Sequence, residues 1–129
     1  MPGQGRRRRQ GGMSRRVARL LEPTLLLLLH QGSTHGYSLL EKLPEYGVEG
    51  FDPSIVYRAL RDMEAREWVT STWDSEETQG PPRRVYRLTT LGDETLALWI
   101  GDLEAAQKRI QYLLDTYREH MVEGEGDHH

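Results

Sequence analysis

Cysteine is absent from the 129-residue sequence, which excludes disulfide bonds, thiolate nucleophiles and cysteine metal sites. Long hydrophobic runs are also absent, because the longest, Leu25 to Leu29, is far shorter than the roughly 20 residues that span a bilayer. No apolar segment follows the basic N-terminus closely enough to resemble a secretory leader. With 36% hydrophobic and 29% charged residues, the sequence is typical of a cytoplasmic protein with one domain of ordinary size.

Motifs for catalysis and for metal binding are lacking as well. There is no Gly-rich phosphate loop, no serine-nucleophile motif and no close pair of histidines on one helix. His30, His35 and His120 are dispersed, and a dispersed histidine is more often a structural or surface residue than a metal ligand. We therefore predict neither an enzyme nor a metal or cofactor site.

The net charge of −3 conceals an asymmetry along the chain. Residues 1–16 contain six arginines and no acidic residue, so the remainder carries 11 basic and 20 acidic residues. An acidic body does not attract nucleic acid as a whole, so any DNA contact must come from local basic spots. We expect residues 1–13 to be a flexible arm. The arm either contacts DNA, by following the phosphates or entering an A·T-rich minor groove, or is only a solvated tail.

Three helices are predicted before residue 68. The first contains the apolar run at residues 25–29, as a helix buried on most sides would. The second is short and ends before Pro44. The third runs from Asp52 to Glu67, with Asp52 as its N-cap and Pro53 in its first turn.

The third helix has two contrasting faces. Ile55 or Val56, followed by Leu60 and Met63, forms one buried stripe at helical spacing. The opposite face carries hydroxyl and guanidinium groups, which suit phosphates and base edges. Taken alone, this pattern also fits an amphipathic helix whose polar face only meets solvent. The residues of the polar face are Ser54, Tyr57, Arg58 and Arg61.

Two strands with alternating faces follow, from Trp68 to Asp74 and from Arg83 to Leu88. The loop between them ends in a stiff Gly-Pro-Pro sequence, which holds Arg83 and Arg84 out from the hairpin. This hairpin is predicted to be a wing. With the helices, it predicts a mainly α fold of the α+β class, a winged helix-turn-helix domain with a two-stranded wing over residues 14–90.

The last helix carries an apolar seam with alternating spacings of three and four, which is typical of a helix that packs on a partner helix. Thr89 or Thr90 is its cap. Thirty-odd residues extend roughly 45 Å, longer than a domain this small covers with its own surface. We expect residues 91–121 to form a dimerisation helix and residues 122–129 a flexible acidic tail. The seam consists of Leu96, Trp99, Leu103, Ala106, Ile110, Leu113 and Tyr117.

Five short motifs follow one another along the chain: His35-Gly36-Tyr37, the helix segment Ser54–Tyr57–Leu60, Val69-x-Ser71-x-Trp73, Gly80-Pro81-Pro82-Arg83-Arg84-x-Tyr86-x-Leu88-Thr89 and Leu91-Gly92. In order and spacing they resemble the PadR family of winged helix-turn-helix transcriptional regulators. The resemblance covers roughly residues 20–100, and the single terminal helix resembles the shorter subgroup of that family. It implies a homodimer that binds palindromic promoter DNA, usually as a repressor released by a small molecule.

By matching position, the resemblance implies a DNA-binding surface in three parts. The second helix would contact the phosphate backbone, the third would lie in or beside the major groove, and the wing would reach the neighbouring minor groove. The residues implied are Tyr37 and Ser38 on the second helix, Ser54, Tyr57, Arg58 and Arg61 on the third helix, and Gly80, Arg83 and Arg84 in the wing. Where the family commonly has glycine after the third helix, this chain has Glu67, for which a left-handed C-cap is costly, so we expect a different turn there.

In similar regulators, an effector binds between the terminal helix and the body. The resemblance implies a small aromatic effector stacked on Trp99, with Leu96 and Leu103 and either Leu20 or Val17 nearby. The alternative is that Trp99 packs in the dimer seam and binds no ligand. For the whole protein, the alternative to a regulator that binds double-stranded DNA is a winged-helix module for protein docking or a structural role without specific DNA binding, which is consistent with the acidic body. Neither interpretation requires a cofactor or a membrane.

Overall fold

The computed structural model describes residues 19–74 and 83–123 of the chain. The predicted Arg-rich arm, Val17, the loop with Gly80 and residues 124–129 lie outside the described residues. The predicted class, mainly α with a small antiparallel sheet and a long last helix, is confirmed. The elements are helix α1 (Leu21–Gln31), strand β1 (Thr34–His35), helix α2 (Gly36–Lys42), a 3-10 turn (Leu43–Tyr46), helix α3 (Pro53–Ala65), strands β2 (Val69–Asp74) and β3 (Arg83–Leu88), and helix α4 (Thr90–Glu123).

The chain divides after Leu96 into two compact units. The first unit contains every element up to the start of α4, and the second begins at Ala97 and contains the rest of that helix. Within the described ranges, no helix is both long enough and apolar enough to cross a membrane.

Helix α1 lies in the core of the first unit. Leu25 and Leu26 are fully buried, and Leu28 and Leu29 are nearly so, as expected for a helix that is apolar on most sides. Each leucine of this kind contributes roughly 1.5–3 kcal/mol when it leaves water. The helix contacts β3 and the 3-10 turn, so these two elements pack against it.

The predicted wing strands, β2 and β3, are joined by a third strand that the sequence did not indicate. The sheet has the order β1-β3-β2, and both strand pairs are antiparallel. In the added pair, Thr34 lies opposite Tyr86 and His35 lies opposite Val85. A strand of two residues has no alternating pattern, so periodicity alone does not reveal it.

Helix α3 lies within one or two residues of its predicted bounds. Asp52 has the extended backbone of an N-cap, and its carbonyl accepts the Ile55 N–H at 2.9 Å, but its side chain makes no capping hydrogen bond. Val56 is fully buried, whereas Ile55 is 41% exposed. The buried stripe therefore contains Val56 with Leu60 and Met63, which decides between the two residues that the sequence left open.

The turn from α3 into β2 takes the left-handed conformation that Glu67 was expected to avoid. Glu67 has a φ angle of 68°, so the prediction of a different turn is wrong. The N–H groups of Glu67 and Trp68 donate to the carbonyls of Glu64 and Met63, each at 2.9 Å, which closes a Schellman cap. A left-handed residue other than glycine costs roughly 1–2 kcal/mol. These bonds, with one from the Thr89 hydroxyl to the Glu67 carbonyl at 2.7 Å, offset that cost.

Thr89, rather than Thr90, caps helix α4. Its hydroxyl accepts the Gly92 N–H at 2.9 Å and shares its single proton between the Glu67 and Trp68 carbonyls, at 2.7 and 3.0 Å. Gly92 lies so close to the Trp68 carbonyl oxygen that an added Cβ would overlap it. Glycine at this position therefore allows the first turn of α4 to lie against the backbone that leads into β2.

We predict opposite effects of alanine at two glycines of α4. Gly92→Ala forces the start of the helix away from Trp68, so the free energy of unfolding should fall by about 1–3 kcal/mol. Gly101→Ala meets open space and should raise it by about 0.5–1 kcal/mol, because alanine favours the helix. Thermal unfolding followed by circular dichroism at one protein concentration measures both. A Gly92→Ala variant as stable as Gly101→Ala would contradict the close packing at Trp68.

Candidate nucleic-acid interface

Helix α3 turns one polar face away from the core. Ser54, Arg58 and Arg61 are exposed on it, and Tyr57 is half-buried. Their spacings of three and four place them on one side of the helix. The four residues predicted on α3 therefore share one surface, which carries two permanent positive charges.

Close packing on α2 holds Tyr57 in place. A Cβ added at Gly36 would lie 2.6 Å from Tyr57 Cε1, so glycine leaves the room that the ring occupies. Gly36 begins α2 directly after His35 of β1, and the next residue, Tyr37, is 59% exposed. The glycine of the His-Gly-Tyr motif thus allows two tyrosines from different helices to border the same surface.

A groove of about 620 Å³ lies between α2 and α3 on one side and the sheet on the other. It contains predicted residues from all three parts of the expected surface, namely Tyr37, Tyr57, Arg61, Arg83 and Arg84. The predicted residues Ser38, Ser54 and Arg58 do not line it, and Gly80 is outside the described residues. The groove also has lining residues that were not among the predicted site residues: His35, Gly36, Glu64, Trp73 and Tyr86.

Arg84 is held above β2 by two contacts. Trp73 lies directly opposite it in the strand register, and the guanidinium carbon is 4.5 Å from the centroid of the Trp73 ring. Arg84 Nη1 also donates a hydrogen bond to Ser71 Oγ at 2.6 Å. The Ser71 hydroxyl in turn donates to Glu64 Oε2 at 2.8 Å. A wing arginine is therefore connected to α3 through two side chains.

His35 connects the two outer strands of the sheet. Its Nε2 atom lies 3.3 Å from Asp74 Oδ2, although β1 and β2 are separated by β3. Asp74 is the last described residue of β2 and lies opposite Arg83 in the register. The pair therefore ties the wing, close to its arginines, to the strand that leads into α2.

Tyr86 is a buried part of the groove lining. It is only 4% exposed, and this burial raises the pKa of its phenol above the ordinary value, although the nearby Arg84 charge acts in the opposite direction. Because even the ordinary pKa of tyrosine lies well above neutral pH, the hydroxyl is protonated and can donate a hydrogen bond. The groove thus combines phenols, guanidiniums and an indole, which are groups that bind phosphates and base edges and stack on bases.

The residues predicted for effector binding and dimerisation lie on α4. Leu96, the last residue of the first unit, is buried, whereas Trp99, Leu103 and Ala106 of the second unit are half-buried. The predicted seam residues that remain exposed are Ile110, Leu113 and Tyr117.

Among residues 19–74 and 83–123, no group of three His, Cys, Asp or Glu side chains is placed to hold a metal ion.

Comparison with known families identifies the fold that carries this groove. The model of the Transcriptional regulator PadR-like family matches residues 25–98, more than half of the chain. The chain belongs to the PadR-like family. The resemblance drawn from the five sequence motifs is confirmed. Because the family consists of transcriptional regulators, this PadR-like chain is a DNA-binding transcriptional regulator and not an enzyme.

Solved structures of PadR-like proteins have the same fold. A PadR-like regulator from Bacillus cereus is 25% identical, with a TM-score of 0.69 over 78% of this chain and 97% of that one. A PadR family regulator from Eggerthella lenta is 26% identical, with a TM-score of 0.63 over 78% of this chain and 89% of that one. A PadR family regulator from Clostridium difficile, 22% identical, covers 74% of this chain and 98% of that one at a TM-score of 0.66, and supports the fold alone. No curated protein sequence matches the chain.

Proposed function

We propose that this PadR-like protein is a homodimer that binds a palindromic operator in double-stranded DNA and represses transcription until a small aromatic effector releases it. The observation that carries the proposal is the groove, where side chains of α3 and arginines of the wing border one open space. DNA offers such a surface phosphates for its guanidinium and hydroxyl groups and base edges for its longer side chains.

Each part of the surface has its own role in the proposed complex. Helix α3 enters the major groove, which is about 12 Å wide and admits one helix. The hydroxyls of Tyr37 and Ser38 at the start of α2 contact the phosphate backbone, and Arg83 and Arg84 reach the neighbouring minor groove. The residues of α3 that contact base edges or the phosphates beside them are Ser54, Tyr57, Arg58 and Arg61.

The charge distribution supports local contacts rather than general attraction. The whole chain has a net charge of −3, so the protein as a whole does not attract DNA. Arg58 and Arg61 are exposed and take part in none of the ion pairs found among the described residues. Their charges are therefore available to phosphates, and the proposed DNA contact is confined to the start of α2, to α3 and to the wing.

We predict that Tyr57→Ala and Arg58→Ala each lower the affinity for an operator, enriched from a random duplex pool, by about 100-fold. Each contact contributes roughly 1–3 kcal/mol, and a dimer loses it twice. Matched controls are Tyr112→Ala and Arg109→Ala, which remove the same groups from exposed positions of α4 and should leave affinity unchanged. Fluorescence anisotropy of a labelled duplex measures the affinities. Wild-type affinity in both α3 variants would remove the proposed reading surface.

The salt dependence of the same binding separates a repressor from a protein-docking module. A specific repressor loses affinity steeply as salt rises but keeps its preference for an inverted repeat over a scrambled duplex. A docking module would bind both duplexes weakly and equally through the Arg-rich arm. The acidic composition favours the docking module, and equal binding of the two duplexes would support it against the proposal.

The proposed dimer forms through the second unit. Its helical residues 97–123 extend roughly 40 Å at about 1.5 Å per residue. Ile110, Leu113 and Tyr117 are 55%, 68% and 61% exposed, and Leu114 on the same side is 41% exposed. Apolar side chains on one side of a long helix favour packing against another helix. A second copy related by a two-fold axis supplies that helix, as in most homo-oligomers.

We predict that Ile110→Asp converts the dimer to monomer, because it places a charge in the apolar stripe. Tyr112→Asp is the matched control, since Tyr112 is 72% exposed but two residues turn the helix by roughly 200°, to the opposite face. Sedimentation equilibrium at micromolar concentration measures both. A wild-type chain that is monomeric there, or the same association in both variants, would contradict this interface.

The effector part of the proposal depends on Trp99, which is half-buried. Its ring offers a planar aromatic compound a surface for stacking, and Leu103 lies one turn along the same face of the helix. Replacing Trp68 and Trp73 by phenylalanine leaves Trp99 as the single tryptophan. Its fluorescence should change when effector-like planar aromatic compounds are added, and an unchanged spectrum across a broad panel would remove the Trp99 site.

A further inference from the structure

Glu64 is an acidic residue in a groove that is otherwise suited to phosphates. It lies on the same face of α3 as Tyr57 and Arg61, at spacings of seven and three residues. A carboxylate in this place repels phosphate groups, so it weakens DNA binding unless it has another effect. Its side chain is half-buried and accepts a hydrogen bond from the Ser71 hydroxyl at 2.8 Å.

The hydrogen bonds around Ser71 have only one consistent direction. The Ser71 hydroxyl has a single proton, and the ionised carboxylate of Glu64 can only accept it. The oxygen of Ser71 therefore presents its lone pairs to Arg84, whose Nη1 donates to it at 2.6 Å. The Trp73 ring, 4.5 Å from the guanidinium carbon, restricts Arg84 from another side. Arg84 is thus held by one oriented hydrogen bond and one stacking contact.

We infer that Glu64 and Ser71 are positioning residues that hold Arg84 in one orientation toward DNA and so couple the wing to α3 in sequence recognition. The guanidinium has five N–H donors, and the bond to Ser71 uses one, so the others are available to DNA. An arginine that is already oriented loses less conformational freedom when it binds. This inference rests on the proposed function, because it requires that Arg84 contacts DNA.

The test measures how well the full-length protein distinguishes the base pairs that Arg84 reads. Duplexes are selected from a random pool with the wild type and with Arg84→Ala, and the positions where preference relaxes are those that depend on Arg84. Discrimination is the ratio of affinities for duplexes with and without the preferred base pairs at these positions. Glu64→Leu and Ser71→Ala break the hydrogen-bond chain, whereas Glu64→Gln keeps an acceptor for Ser71, and Ser71→Thr keeps the hydroxyl.

We expect Glu64→Leu and Ser71→Ala to lower discrimination roughly tenfold, within the range of one well-placed base contact. Glu64→Gln and Ser71→Thr should retain it. Glu64→Leu and Glu64→Gln remove the same negative charge. Any general gain in affinity from weaker repulsion of the phosphates is therefore common to both variants, and it cancels in the ratio of affinities that defines discrimination. In an Arg84→Ala background, Glu64→Leu should not lower discrimination further, because Arg84 is no longer there to be positioned. If the effect of Glu64 were purely structural, Glu64→Leu would lower discrimination in that background as well.

Two failures are distinguishable. Equal discrimination by Glu64→Leu and Glu64→Gln, with both variants folded by circular dichroism, would overturn the positioning role while Arg84 still reads DNA. An Arg84→Ala protein with unchanged preference would instead overturn the wing contact in the proposed function, and the positioning role with it. Ser71→Ala removes a single hydroxyl from a half-buried strand position, so it provides the same test if Glu64→Leu does not fold.

Discussion

The main-chain carbonyl of Trp68 is the point on which the arrangement of the first unit depends. It accepts the N–H of Thr89 at 3.0 Å and shares the single hydroxyl proton of Thr89 with the neighbouring Glu67 carbonyl, and Gly92 leaves room for it. Trp68 follows the left-handed Glu67 at the end of α3, and Thr89 lies between β3 and α4. One cluster of hydrogen bonds therefore orients the polar face of α3 relative to the wing strands, and the groove between them exists because that orientation is fixed.

Periodicity predicted the larger elements, and tertiary contacts decided the rest. Strand β3 was predicted at its observed bounds, because six alternating residues between turn signals leave little choice. Ile55 and Val56 are adjacent and both apolar, so only the packing of α3 shows that Val56 is the buried one. Strand β1 exists because β3 offers it a partner, which no local pattern reveals. At Glu67, the two hydrogen bonds of the Schellman cap and one from the distant Thr89 hydroxyl outweigh a local preference, so reasoning from propensity was wrong there.

The candidate site was predictable where it depends on residue type along one element. Tyr57 and Arg61 follow from the polar face of α3, and Arg83 and Arg84 follow from the stiff loop before them. Sequence reasoning did not place Glu64, Ser71 or Trp73 in the site, because their importance lies in contacts between elements. Ser71 and Trp73 belong to a motif that carries the family resemblance, but the motif does not show what they contact, and the spacing of Glu64 is that of any solvent-facing helix residue. These contacts bear on function because an acidic chain depends on the placement of its few local cations rather than on its total charge.

In the proposed complex, two copies present their α3 helices to successive turns of one duplex. Because the chain has no cysteine, Asp62→Cys places a single spin label on an exposed position of α3 that is not among the proposed DNA contacts. Pulsed dipolar spectroscopy of the labelled protein on its operator then measures the distance between the two helices. The account predicts one distribution centred at roughly 34–36 Å, the spacing of half-sites one turn apart, broadened by the label arms. The absence of dipolar coupling at micromolar concentration, or a distance below about 20 Å, too short for successive major grooves, would contradict it.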